Sequence, residues 1–327
     1  MTVLIDPPVW PAHGTHFSHL VSDVSLLELR AFARAAGVPD RAFDLDHYDV
    51  AAARHDELVA AGAVPVAGME LARRLVASGL RISGAERAGS KRAPMLARWD
   101  ASCPTTPGRT AGEGAGEAAR EAAGEVAWHA VGEALDERWR EPHRTYHTAF
   151  HLFTALEALD TLLSDAAASG APVPGDVAWH ARVALWFHDA VHDGSTPADE
   201  EASAALAREL LAPLTGVAPR SAAEIARLVL VTAAHDPDPG DLAGSLVSDA
   251  DLAVLGGTPA AYARYTHQVR AEYAHVPDPL FRRGRAQVLG GLLAAGDLFR
   301  TPWGKARWHD DATSNLGAEL RDLAGPA

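Results

Sequence analysis

Histidine and carboxylate side chains recur in the second half of the chain at spacings that suit metal chemistry. "RTYHTAFHL" carries His147 and His151, and "WFHDAVHDG" carries His188 and His192, in each case four residues apart. On a helix that interval is one turn, about 5.4 Å of rise, so each pair would share a face. Asp189 lies about 100° around from His188 and could reach the same ion from the flank. His235 ends the apolar run "LVTAAHD", and Asp249 and Asp251 sit two apart in "LVSDADLAVLG". Three to five such ligands on neighbouring helices would make a metal site in a bundle core. Imidazole nitrogen and carboxylate oxygen without thiolate suit Mn, Fe, Co, Ni or Zn, with Mg at a second, more oxygen-rich position. Such an ion lowers the pKa of bound water from about 15.7 toward roughly 7, giving hydroxide to attack phosphorus.

Other residues have weaker claims. Arg144, Arg270 and Arg285 are candidates to meet a phosphate oxygen through a charge-assisted fork, and Tyr273 to stack on a base. Glu200 or Glu201 would extend the metal shell, and Asp249 would orient a ligand histidine. His55-Asp56 and His309-Asp310 lack an apolar helical setting and read as solvated surface pairs.

These side chains need helices to hold them, and the 3.6-residue pattern supplies them beyond the chain's midpoint. It predicts helices at 125–139, 146–167, 176–193, 197–213, 219–234, 259–274, 280–297 and 303–323. Asp193-Gly194 reads as a helix end, and Thr196-Pro197 as the cap and first position of the next helix. Upstream, a stretch rich in Gly, Ala, Pro and Thr predicts a flexible linker over 84–124. In residues 1–83, Val3–Ile5 and "AVPV" read as strands, with helices over "SLLELRAFARAAGV", Val50–Ala61 and Gly68–Ser78. The expected architecture is two domains, a small α/β N-terminal domain and an all-α helical bundle over 125–327.

The order His151, His188-Asp189, Asp251 resembles the HD superfamily of metal-dependent phosphohydrolases. "EPHRTYHTAFHL", "ALWFHDAVHDG", "ADEEASA", "SDADLAVLG", "YTHQVRAEY" and "GRAQVL" are similar to the predicted metal-dependent HD phosphohydrolases of bacteria. The resemblance covers nearly all of 125–327. It implies an HD-type bundle in which His151, His188, Asp189 and Asp251 ligate a divalent ion and His235 serves a second one. More distant HD relatives, the cyclic-nucleotide phosphodiesterases, share the Tyr-His-x-x-x-His arrangement, which implies His147 as the general acid. His192 falls where those enzymes also have a histidine, as a second-metal or substrate contact. The implied partner is a small phosphorylated substrate, a nucleotide being the expected one. The alternatives are a di-iron oxygenase on the same fold and a non-catalytic nucleotide-binding regulatory module.

The N-terminal text holds a second group of polar residues, His13, His16 and His19 in "WPAHGTHFSHLVSD" and Asp44, Asp46, His47 and Asp49 in "FDLDHYDV". It resembles a small bacterial domain of unknown function that carries the same text. Helix capping by Ser22 and Asp23 explains the serine and aspartate but not so many histidines, so a second active or binding site is a candidate here.

Composition narrows the classes. With 43 acidic against 29 basic residues and a net charge of −14, the surface as a whole repels a polyphosphate backbone, which argues against nucleic acid as a partner. Cys103 is the single cysteine, which excludes intrachain disulfides and suits a reducing compartment. No run approaches eighteen apolar residues and "MTVLIDPPVWP" lacks signal-peptide character, so the expectation is a cytoplasmic protein with no membrane partner.

Overall fold

The computed structural model describes residues 2–104, 115–294 and 296–325, with side chains of the helix that begins at 115 described from 122 onward. Its N-terminal part is a small α/β layer. Strand β1 (Val3–Ile5) pairs antiparallel with β3 (Thr15–Ser22) and parallel with β6 (Val64–Pro65). A short β2 (Trp10–Ala12) also pairs with β3, and beyond β3 lie β5 (His47–Ala51) and β4 (Phe43–Asp44). The sheet order is β4-β5-β3-β1-β6. Helices α1 (Leu26–Ala35), α2 (His55–Ala60) and α3 (Gly68–Ala77) accompany it. Alternation sorts the strand residues, since Leu20, Tyr48 and Val50 are buried in the core while His19, His47 and Asp49 point to the opposite face.

The helix expected over Val50–Ala61 divides. Val50 and Ala51 complete β5, a 3₁₀ turn covers Ala52–Arg54, and α2 is only six residues long. Val50 lies opposite Ser18 across the β3–β5 ladder, so cross-strand pairing outweighs the local helical pattern.

The expected flexible linker also needs correction. Residues 84–100 form α4 (Gly84–Gly89), opened by a Ser83/Glu86 capping box, and α5 (Arg92–Asp100). Met95 and Trp99 of α5 are buried in the helical core. Trp99 stacks on Trp128 with centroids 4.3 Å apart, and each indole N–H donates to the other residue's carbonyl. A composition poor in apolar residues hid the two large ones that matter. Residues 115–124 of the expected linker are also helical, the first ten positions of a helix that runs on to Trp139, and the stretch 105–114 lies outside the described residues.

Beyond it the chain is helical throughout: α6 (Ala115–Trp139), α7 (Ala149–Ala168), α8 (Gly175–Phe187), α9 (Ala198–Leu211), α10 (Pro219–Val231), α11 (Leu242–Leu252), α12 (Pro259–Glu272), α13 (Asp278–Ala294) and α14 (Pro302–Ala324). Helix α11 carried no periodic signal because it is buried on nearly every side, Ala243, Leu246, Val247 and Asp249 among its inward residues. One core joins α5 to α11, and a second, containing Tyr262, Leu289, Phe299 and Leu316, joins α12, α13 and α14. The sheet layer packs on α12, where Ala271 enters the N-terminal core and Arg264 donates to the Arg81 carbonyl. No helix among the described residues is long and apolar enough to cross a membrane.

Candidate metal centre

Neither histidine pair of the helical part keeps its helical register. Helix α7 starts after its cap Thr148, which leaves His147 in the preceding turn and His151 on the helix. Helix α8 stops at Phe187, so His188 caps it and His192 lies in an irregular segment. Arg144 anchors the segment beyond the stop. Its guanidinium donates to the carbonyls of Asp189 and Ala190, at 2.6 and 3.1 Å, as well as to His147 O and the Glu141 carboxylate. These bonds hold the segment that follows α8 in place. Ser203 Oγ takes the Val191 amide, and Asp199 takes the amides of Asp193 and Ser195.

The irregular backbone brings four donors together. His151 Nε2 lies 3.1 Å from His188 Nε2 and 3.1 Å from Asp251 Oδ1. His188 Nε2 lies 3.0 Å from Asp189 Oδ2 and 3.5 Å from Asp251 Oδ1, while Asp189 Oδ2 is 3.6 Å from His151 Nε2. Donors about 2.1 Å from one ion stand roughly 3.0 to 3.4 Å apart at octahedral and tetrahedral angles, so His151, His188 and Asp251 have the dimensions of a coordination shell, with Asp189 beside the two histidines. His188 also has the required tautomer. Its Nδ1 donates to Leu185 O at 2.7 Å, which leaves the Nε2 lone pair facing the cluster when the ring is neutral. The residues therefore fit a divalent ion.

Electrostatics point the same way. Burial opposes ionisation of Asp189 and Asp251, yet the imidazoles around them outweigh it and hold both carboxyls below the ordinary range. Burial likewise opposes charge on His188, and the two carboxylates overcome it, raising that ring well above its usual value. Burial prevails at His151, which is held neutral. Two carboxylates in so dry a place require a positive charge, either a proton on His188 or a cation in its stead. Trp139 stands behind the pair, 5.3 Å from the His188 ring, so the cluster opens only toward Asp189 and Asp251.

His235 adds a fifth donor, with Nε2 3.6 Å from Asp251 Oδ2 and Nδ1 against Ser248 Oγ. Beside the cluster, His147 and His192 lie with ring centroids 3.9 Å apart, and Glu272 engages both. Its Oε1 is bonded to His147 Nδ1 and lies 3.2 Å from His192 Nε2, while Oε2 accepts the backbone amides of Thr145, Tyr146 and His147. Burial opposes charge on His147, and Glu272 outweighs it and raises the ring's pKa.

Sequence reasoning did not single out Glu272. The signal available was its position, because a carboxylate at the last residue of a helix faces the negative end of the macrodipole and needs another reason to be there.

The cluster forms the floor of a cleft of about 1040 Å³ lined by His147, Asp189, His235 and Asp251. Phe281 and Val288 of α13 supply an apolar wall, and Tyr273 also faces the space. Its arginines are Arg285, engaged by Glu319 and the Tyr265 hydroxyl, and Arg300, which pairs with Asp236. Two expected substrate contacts are placed elsewhere. The Arg144 side chain is fully buried and spent on the groups named above. Arg270 donates to the carbonyls of Tyr273 and Val276 and covers the Phe281 ring, holding the turn after α12. Asp249 is not beside a ligand histidine either, since it accepts the Arg300 and Thr301 amides at the start of α14. Glu200 reaches the cleft, whereas Glu201 is exposed.

In the N-terminal part, His19, His47 and Asp49 come together on one sheet face, while His13 and His16 are exposed and stand outside that group. Residues 3–78 match the model of a protein family of unknown function, DUF4031. No curated protein and no solved structure matches the chain.

Proposed function

We propose that the helical part is a metal-dependent phosphohydrolase acting on a small phosphoester, a nucleotide being the expected substrate. One observation carries the reading: His151, His188 and Asp251 meet with the spacing of metal ligands, Asp189 stands against the two histidines, and both carboxylates line a nucleotide-sized cleft. The order of these residues is the one that resembles the HD superfamily. A bound divalent ion would supply Lewis acidity toward a phosphoryl oxygen and a nucleophilic water at neutral pH. Glu272 keeps a proton on His147 Nδ1 and favours the charged ring, which leaves Nε2–H to protonate the leaving oxygen. Arg300 is the cleft cation with a buried Nε that has no partner among the described residues, so it is the better candidate for a phosphate oxygen than Arg144 or Arg270. Tyr273 and the α13 wall offer an apolar surface to the organic portion.

The test is a panel of nucleotides and simple phosphoesters with Mn, Mg, Co, Ni, Fe and Zn supplied in turn to wild type and Asp189→Ala. We expect turnover in wild type that Asp189→Ala abolishes. If no combination turns over, or if turnover survives the substitution, the reading fails.

A further inference from the structure

The N-terminal sheet carries a histidine–aspartate arrangement that owes nothing to the helical site. His19 of β3 and Asp49 of β5 are directly opposed across the antiparallel ladder, and His47 is two residues before Asp49 on the same strand. A two-residue period plus one cross-strand pair therefore puts three donors on one face. Each imidazole is aimed by a carboxylate buried to 1% exposure: His19 Nδ1 meets Asp6 Oδ2 at 2.9 Å and His47 Nδ1 meets Asp46 Oδ1 at 2.7 Å.

Those carboxylates are themselves fixed. Asp6 also accepts the His19 amide and the Trp10 indole N–H, and Asp46 also accepts the Ile82 amide and Arg87. An ionised carboxylate can only accept, so both Nδ1 atoms carry hydrogen, and each ring in its neutral form presents a bare Nε2. The two Nε2 atoms turn toward the same oxygen, Asp49 Oδ1, 3.8 Å from His19 and 3.4 Å from His47. The rings stand edge to face with centroids 5.0 Å apart, and all three donor atoms lie within 4.8 Å of one another.

We propose that His19, His47 and Asp49 bind a divalent transition-metal ion, with Asp6 and Asp46 orienting the two histidines. A histidine held by a buried carboxylate is the usual support of a metal ligand, because it fixes the tautomer and raises the basicity of the coordinating nitrogen. Burial opposes charge on His47, but Asp46 and Asp49 outweigh it and raise the ring's pKa to about 9. A proton on Nε2 therefore satisfies that contact in the metal-free site, and an ion would take its place. The geometry that marks the site is the second Nε2, that of His19, turned to the same oxygen from another strand. Two imidazoles and one carboxylate select Zn, Fe, Co, Ni or Mn over Mg or Ca. Three protein donors leave further positions open, and the Asp49 side chain is 46% exposed, so the open side faces solvent, where an oxygen ligand such as water or a small anion would enter.

The experiment uses the full chain, stripped with chelator and dialysed, then loaded with Zn²⁺ for metal counting and with Co²⁺ for its visible spectrum. Asp49→Asn is nearly isosteric and half exposed, and His19→Ala removes a ligand from another strand. Each should lower the bound Zn²⁺ by one equivalent relative to wild type and remove the matching share of the Co²⁺ absorbance, with the circular dichroism unchanged. The helical site remains intact in both, so its metal and any hydrolysis serve as internal controls. Unchanged metal content and Co²⁺ spectrum in both variants would overturn the proposal, as would a wild-type chain whose whole metal complement is lost in His188→Ala.

Discussion

The two histidine–aspartate clusters use the same donors on opposite scaffolds. In the sheet, strand alternation and one ladder rung place the ligands, and buried carboxylates aim the rings while the third donor stays half exposed. In the helical part, the ligands come from α7, the end of α8 and α11, and burial takes over the aiming, with a single carbonyl fixing His188. His151 Nδ1 has no partner among the described residues. The difference teaches that regular structure alone can present a metal-binding face, whereas enclosing a site in a bundle needs regular structure to be interrupted. Arg144 holds the interrupted segment through its backbone carbonyls.

The comparison can be broken most severely at the buried ligand. His188→Ala should remove the helical site's ion and cut phosphoester turnover by about 10³-fold, because a metal contributes several kcal/mol of transition-state stabilisation. Metal counting alongside steady-state rates checks this, and the sheet site should keep its ion. Next comes Glu272→Gln, which should slow turnover about 100-fold while the metal content stays the same, the signature of a group acting through His147. A parallel loss of metal would instead make Glu272 a ligand.

Arg144→Gln should act mainly on stability. Losing a buried cation that serves several carbonyls costs about 3 kcal/mol, readable as a lowered urea midpoint, and the KM of enzyme that remains folded should change little. A large rise in KM without loss of stability would return Arg144 to the substrate. The smallest effect is expected at the sheet site, where Asp6→Asn should weaken Zn²⁺ affinity by roughly 10-fold and leave hydrolysis alone. Calorimetric titration of the full chain would read it, and equal affinity in the variant would reduce Asp6 to a packing role.

Much of the helical cluster was legible in the sequence because its chemistry and its order along the chain survive any error in helix boundaries. His151, His188, Asp189, Asp251 and His235 come together although the argument from helical turns fails for both histidine pairs. The boundaries failed where distant side chains hold the backbone: Arg144 on the carbonyls of Asp189 and Ala190, and Ser203 and Asp199 on the amides that follow, leave no local mark. Glu272 lies 125 residues from His147, and its one clue was an acid at the wrong end of a helix. In the sheet part, His19, His47 and Asp49 were visible as an excess of polar residues, but their common face depended on β3 and β5, which short-range patterns did not reveal. Trp99 shows the opposite failure, where average composition hid a single side chain that decides the packing.

Helix α12 has a consequence for how the chain can be altered. Ala271 sits in the core of the sheet layer, and the next residue, Glu272, holds His147 and His192. Neighbouring positions on one turn thus answer to two different neighbourhoods. An exchange of the N-terminal segment for a foreign one would have to refit Ala271, and a shift of that helix by a fraction of an ångström would be felt at Glu272. Compensating changes are therefore expected between α1 and the last turn of α12 whenever one of the two is altered.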